Sequence, residues 1–289
     1  MSENELSIGE CATLACLLEV TAPKSGNVHR GADFEDLTFW DFVASAVAIG
    51  SVMQRAAGQS LGQTVLEAIR ATRSAVATNT NLGTVLLIAP LAMVARGTDL
   101  ADGIQKVLQG LDADDSRLVY EAIRLAEPGG LGKTDQHDIA DPAPADLVEA
   151  MRTGAEHDLV ARQYTNGFSQ VFGEVVAWLA EGLEDGWALD TTILHVQMRT
   201  MSQYGDSLIA RKCGEPASRQ AAERAARVLE SGTPQDEAYH AAMGDLDFWL
   251  RSDGHRRNPG TTADLIAAGL FVALREGIIT RPVRMGIRG

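Results

Sequence analysis

Residues 265–274, L-I-A-A-G-L-F-V-A-L, are apolar without interruption. A helix built from them has no polar face, so it must be surrounded by other protein. Ten residues fall short of the roughly 20 that cross a bilayer, which leaves the centre of a folded core as the place for it. The stretch ahead of it, R-N-P-G-T-T (257–262), breaks the chain at Pro259 and Gly260 and offers Thr261 or Thr262 as caps for the N–H groups that open the helix. A buried helix whose N-terminus is presented in this way is also a ready anion site.

Helical periodicity recurs along the rest of the chain and predicts helices at 5–20, 38–57, 61–77, 82–95, 99–109, 115–126, 144–152, 156–182, 190–203, 217–230, 235–250 and 261–276. Convincing strands are absent. Hydrophobic residues make up 45% of the chain and aromatic ones only 5%, a balance that suits closely packed helices better than a sandwich of β-branched and aromatic strands. The expectation is an all-α protein: one globular multi-helix domain over 1–289, with long polar loops converging on one cleft. The polar, acidic start M-S-E-N-E-L-S-I-G-E shows no signal peptide, and no apolar run reaches membrane-spanning length. Cys11, Cys16 and Cys213 form no C-x-x-C pair and sit in helical patterns, as expected in a reducing cytoplasm. A formal net charge of −14 argues against nucleic acid as a partner. Any phosphorylated small molecule must then be met by locally gathered positive charge.

Four loops carry that chemistry. In 19–36, Lys24, His29 and Arg30 stand among Glu19, Asp33, Glu35 and Asp36, so cations for phosphate lie beside carboxylates for a metal or a base. In 78–83, Asn79 and Asn81 precede a second buried helix that carries Pro90; one asparagine serves as a cap, and the other is free to bind a ribose or base edge. In 127–135, E-P-G-G-L-G-K-T-D resembles a phosphate loop, but that pattern requires glycine where Glu127 stands and a strand where the chain is helical. Asp135, His137 and Asp138 follow it as weak metal candidates. In 256–262, the basic cluster Arg251, His255, Arg256 and Arg257 runs into the anion-site stretch. Between these, Asp206 precedes Arg211 and Lys212, a pair that serves either as a phosphate clamp or as the charged end of a helix.

In order along the chain, E-V-T-A-P-K-S-G-N-V-H (19–29), E-D-L-T-F-W-D-F (35–42), N-T-N-L-G (79–83) and N-P-G-T-T-A-D-L-I-A (258–267) resemble the motifs of the triphosphoribosyl-dephospho-CoA synthase family. The spellings are closer to an archaeal-type branch than to the accessory enzymes of citrate lyase. The resemblance implies an all-α enzyme in which ATP loses adenine and its triphosphoribosyl group moves to the 2′-hydroxyl of dephospho-CoA. That is a glycosyl transfer through an oxocarbenium-like centre. On this scheme Asp36, with Glu19 second, acts as base or cation stabiliser. Asp33 is the alternative to Asp36, three residues away. Lys24, His29, Arg211 and Lys212 would bind phosphate, helped by Asn258 and the backbone of Gly260 and Thr261. Asn79 and Asn81 would hold ribose or base, and Asp264 would orient the N-P-G-T loop. The resemblance also implies Mg²⁺, with Asp36 and Asp206 as its carboxylates.

Two departures stand out. The family's N-T-H-K-G is here N-T-N-L-G, and its P-K-P-G is P-K-S-G. Loss of a cation from a triphosphate site opens a second reading: phosphoribosyl transfer to another hydroxyl, such as the ribitol of a methanopterin-type one-carbon carrier. A Mg²⁺-dependent nucleotide or riboside hydrolase and a non-catalytic nucleotide-binding protein are the competing classes, and a homo-oligomer is compatible with all of them.

Overall fold

A computed structural model describes residues 5–127 and 142–286. Fourteen α-helices occupy the described residues: α1 (Ile8–Thr21), α2 (Phe39–Arg55), α3 (Leu61–Ala75), α4 (Leu82–Met93), α5 (Leu100–Gln109), α6 (Ala113–Ala126), α7 (Leu147–Gly154), α8 (Leu159–Asn166), α9 (Val176–Glu184), α10 (Leu189–Tyr204), α11 (Ser207–Cys213), α12 (Glu215–Glu230), α13 (Glu237–Arg251) and α14 (Gly260–Arg275). One extended segment, Ser252–His255, leads from α13 toward α14.

The apolar run predicted from 265–274 is the middle of α14, and every residue in it is buried. Helices α1, α4, α8, α9, α10 and α11 surround it. Its nearest equivalent is α4, apolar almost throughout and buried from Thr84 to Ala92. The two run parallel. Near their starts Thr84 Oγ1 donates to Asp264 Oδ1 at 2.6 Å. At their ends Arg275 donates to the carbonyls of Leu91 (2.8 Å) and Val94 (2.7 Å), satisfying acceptors that the end of α4 leaves open. A second, smaller core is built by α10–α13 around Met198, Met201, Ile209, Tyr239 and Leu250.

The predicted helix 156–182 is not continuous. Asp158 caps α8 through the N–H groups of Val160 and Ala161. Gly167 and Phe168 both take positive φ, which stops α8, and a π-helical turn at 171–175 follows before α9 begins. The segment 206–214, which the sequence left open between loop and helix end, contains the short helix α11. Neither threonine caps α14 with its side chain; that cap comes from elsewhere in the chain and is described below.

Helices α1 and α2 cross at two glycines. A Cβ on Gly9 would lie 2.4 Å from the carbonyl oxygen of Gly50, and one on Gly50 would lie 2.4 Å from Thr13 Oγ1. Gly9→Ala must therefore push two backbones apart, and overpacking of this kind costs about 1–3 kcal/mol. Chemical denaturation should show that loss for Gly9→Ala and a change within about 0.5 kcal/mol for Gly58→Ala, whose Cβ would meet nothing within 4 Å.

Candidate active site

Three of the four loops singled out in the sequence meet at one cavity of about 540 Å³, within the usual size of a small-molecule site. The fourth, with Asp135, His137 and Asp138, falls outside the described residues. Glu19, Asp36, Asn79, Asn81, Arg211, Lys212, Asn258, Gly260, Thr261 and Asp264 all line the wall. Lys24, His29 and Asp206 do not.

Tight turns position the first loop. Phe34 and Leu37 pair through Phe34 N–H to Leu37 O at 2.9 Å, leaving Glu35 and Asp36 at the tip. Asp33 Oδ1 accepts from Phe39 N–H at 2.6 Å, at the start of α2, whereas Asp36 faces the cavity and accepts from His255 Nδ1 at 2.9 Å. The structure thus separates the two aspartates that the sequence left as alternatives. Asp36 thereby presents Oδ1 to an imidazole at the cavity wall.

Lys24 is fully buried, with Nζ 2.8 Å from Glu19 Oε1 and bonded to the Glu19 carbonyl. A cation so enclosed is a partner for Glu19 and not a phosphate ligand. His29 is also corrected. Burial, with Arg251 and Lys24 nearby, lowers its pKa to about 4 and leaves it neutral at pH 7.

Asp206 has no room for magnesium. It is fully buried, and Oδ1 accepts from the N–H groups of Leu208 (2.9 Å) and Ile209 (3.1 Å), capping α11. Oδ2 accepts from Thr262 N–H (2.8 Å) and Thr262 Oγ1 (2.9 Å), which is the missing cap of α14. The Gly260 N–H is likewise engaged, by Asn258 O at 2.8 Å, so it is not free to bind phosphate.

The remaining candidates, Arg211 and Lys212, form the charged end of α11, and both line the cavity. Arg211 is ion-paired with Asp158. Burial lowers the pKa of Lys212. Asn79 Oδ1 caps α4 through Leu82 N–H at 3.2 Å. Asn81 is 6% exposed; its Nδ2 donates to Thr72 Oγ1 at 3.1 Å, while Oδ1 is buried with no hydrogen-bond partner among the described residues. A buried orphan acceptor is costly unless something fills it.

Asp264 sits deep in the cavity, one turn into α14. Burial, reinforced by the charge of Glu19, raises its pKa to about 8 despite the bond from Thr84. A Cβ on Gly83 would lie 2.0 Å from its Oδ2, so glycine is required where α4 meets it. Among the described residues no group of three or more His, Cys, Asp or Glu side chains is gathered for a metal ion. The donor set nevertheless fits Mg²⁺ held with substrate phosphates, which needs only one or two carboxylates. Glu19 and Asp264 both line the cavity, and the charge of Glu19 is one of the influences that raise the pKa of Asp264.

A family model for ATP:dephospho-CoA triphosphoribosyl transferase (CitG) matches residues 5–281. The chain belongs to that family. Its reaction moves the triphosphoribosyl group of ATP to dephospho-CoA, and this protein is such a transferase. The crystal structure of a protein from Archaeoglobus fulgidus, named as a triphosphoribosyl-dephospho-CoA synthase, superimposes with a TM-score of 0.63 at 26% identity, covering 81% of this chain and 99% of that one. A search of curated protein sequences returned no match.

Two measurements test the electrostatics of the transferase. Asp206→Ala removes two caps, each worth about 0.5–2 kcal/mol, so urea denaturation should show a loss of about 1–4 kcal/mol. Asp264, with its pKa raised from 3.8 to about 8, keeps its proton in the folded state while the unfolded chain ionises. Its contribution to stability is full below about pH 4, is lost as pH rises through about 8, and is constant above that. Asp264→Asn should flatten the pH dependence of the melting temperature across that window.

Proposed function

We propose that the cavity binds Mg²⁺-ATP and dephospho-CoA together, and that the named residues divide the work of the glycosyl transfer. The observation that supports this most directly is the meeting, around one cavity, of Arg211, Lys212, the orphan buried amide oxygen of Asn81 and the carboxylates of Glu19, Asp36 and Asp264, from segments far apart in sequence. Arg211 and Lys212 take the triphosphate, with the parallel N-termini of α4 and α14 behind them adding positive potential. Asn81 offers its unpartnered carbonyl to a ribose hydroxyl or to the adenine amino group, with Asn79 and Asn258 beside it. Glu19 and Asp264, which would give up its proton to the ion, would hold Mg²⁺, which would neutralise the triphosphate, and Glu19 sets negative charge toward the oxocarbenium-like centre. Asp36 acts on the acceptor side of the cavity through its contact with His255. The reading places the protein in the cytoplasm, with ATP at hand.

A second reading has one observation in its favour. The family's H-K pair is Asn81-Leu82 here, and Leu82 is packed into the hydrophobic core, so no cation replaces the missing lysine at that position. Transfer of a phosphoribosyl group to a different hydroxyl acceptor would follow from a smaller phosphate load.

Incubation with ATP, Mg²⁺ and dephospho-CoA, following free adenine and product mass, tests both. The expected result is adenine release with a triphosphoribosyl mass gain on dephospho-CoA. Adenine released without acceptor would point to a hydrolase, and turnover only with phosphoribosyl pyrophosphate and a pterin-ribitol acceptor would favour the second reading. Lys212→Ala should raise KM for ATP about tenfold, equivalent to about 1.4 kcal/mol, and Asn81→Ala should weaken ATP binding without affecting folding yield.

A further inference from the structure

The Asp36–His255 contact joins two loops 219 residues apart in sequence, and both side chains form part of the cavity wall. A carboxylate accepts but does not donate when ionised, so the hydrogen at this 2.9 Å contact resides on His255 Nδ1. The lone pair is then on Nε2, which has no protein hydrogen-bond partner among the described residues. The ring is held in plane as well as in tautomer. Phe34 packs edge-on against it with centroids 5.9 Å apart, and the Arg251 guanidinium lies over the other ring at 5.1 Å. His255 also lies three residues ahead of Asn258, and its carbonyl accepts from Asn258 N–H at 3.2 Å, tying it to the loop that leads into α14.

A base oriented by a carboxylate on one ring nitrogen and open on the other is the arrangement that deprotonates a hydroxyl nucleophile. We propose that His255 is the general base of the transfer and that Asp36 is its positioning residue. This rests on the transferase reading of the cavity. The acceptor's O–H bond breaks, with the proton passing to His255 Nε2. The oxygen pair forms the new bond to C1′ of the ribosyl group. The C1′–N9 bond of ATP breaks, its electron pair leaves with adenine, and adenine takes a proton from solvent or from the imidazolium.

The test uses the full-length protein with ATP, Mg²⁺ and dephospho-CoA. His255→Ala should lower kcat by about 10²–10⁴-fold, the usual share of general-base catalysis, while KM for ATP stays within about threefold. Added imidazole should restore part of the rate in His255→Ala and none in Asp36→Ala, whose own imidazole remains in place but is no longer oriented. His255→Asn serves if the alanine variant does not fold, and Asp36→Asn combined with it should cost little beyond the single change. Rates within about threefold of the unaltered protein in both His255 variants would overturn the proposal. So would a loss confined to KM that imidazole does not rescue. Failure of the unaltered protein to release adenine would instead overturn the transferase reading on which the proposal rests.

Discussion

Two apolar helices strapped side by side in the same direction set the terms for the rest of this molecule. The chain returns after nine intervening α-helices to lay α14 along α4, with Thr84 bonded to Asp264 at one end and Arg275 bonded to the carbonyls of Leu91 and Val94 at the other. Antiparallel neighbours would let their dipoles cancel. Parallel ones deliver about half a unit of positive charge each to the same end. In a chain of formal charge −14 that is a substantial local bias, and the cavity lies where it is felt. Between the polar ties at their two ends the helices meet through apolar side chains, which is why both are so apolar.

Asp206 extends the same economy to the smaller core. One oxygen caps α11 and the other caps α14, while Ser218 of α12 bonds the Asp206 backbone on both sides, through Asp206 N–H at 2.9 Å and Asp206 O at 3.0 Å. A single side chain thereby ties α11 and α12 to the central helix, beside the direct packing of α10 and α11 against it. Arg211 and Lys212, one turn further along α11, are set against the cavity by that anchor.

The helical character, the burial of 265–274 and the grouping of polar loops were legible because each depends on local periodicity or turn chemistry. What the sequence hid depends on partners far along the chain. An aspartate ahead of a basic pair looks like a metal ligand; only the fold shows that Thr262 has taken its second oxygen. Lys24 looks like a phosphate ligand until its burial against Glu19 is seen. His255 stood in a basic cluster as one cation among four, with no local sign that Asp36 would reach it. The break in the long helix 156–182 rests on Phe168, which takes a positive φ that its residue type does not announce.

The segment 22–28 has a thermodynamic side. Ser25 N–H donates to Gln197 Oε1 at 2.9 Å, Gly26 N–H to Asp247 Oδ1 at 2.7 Å, and Asn27 Nδ2 to Asn258 Oδ1 at 2.6 Å, while Arg251 bonds the Asn27 carbonyl. Its backbone is therefore already ordered in the free protein, and the entropy of ordering it is incurred on folding rather than on encounter with a nucleotide. A cavity wall fixed in this way recognises a rigid ring system by fit from the first collision. Most of the heat of binding should then come from displaced water and charge contacts, with little from rearrangement of the chain.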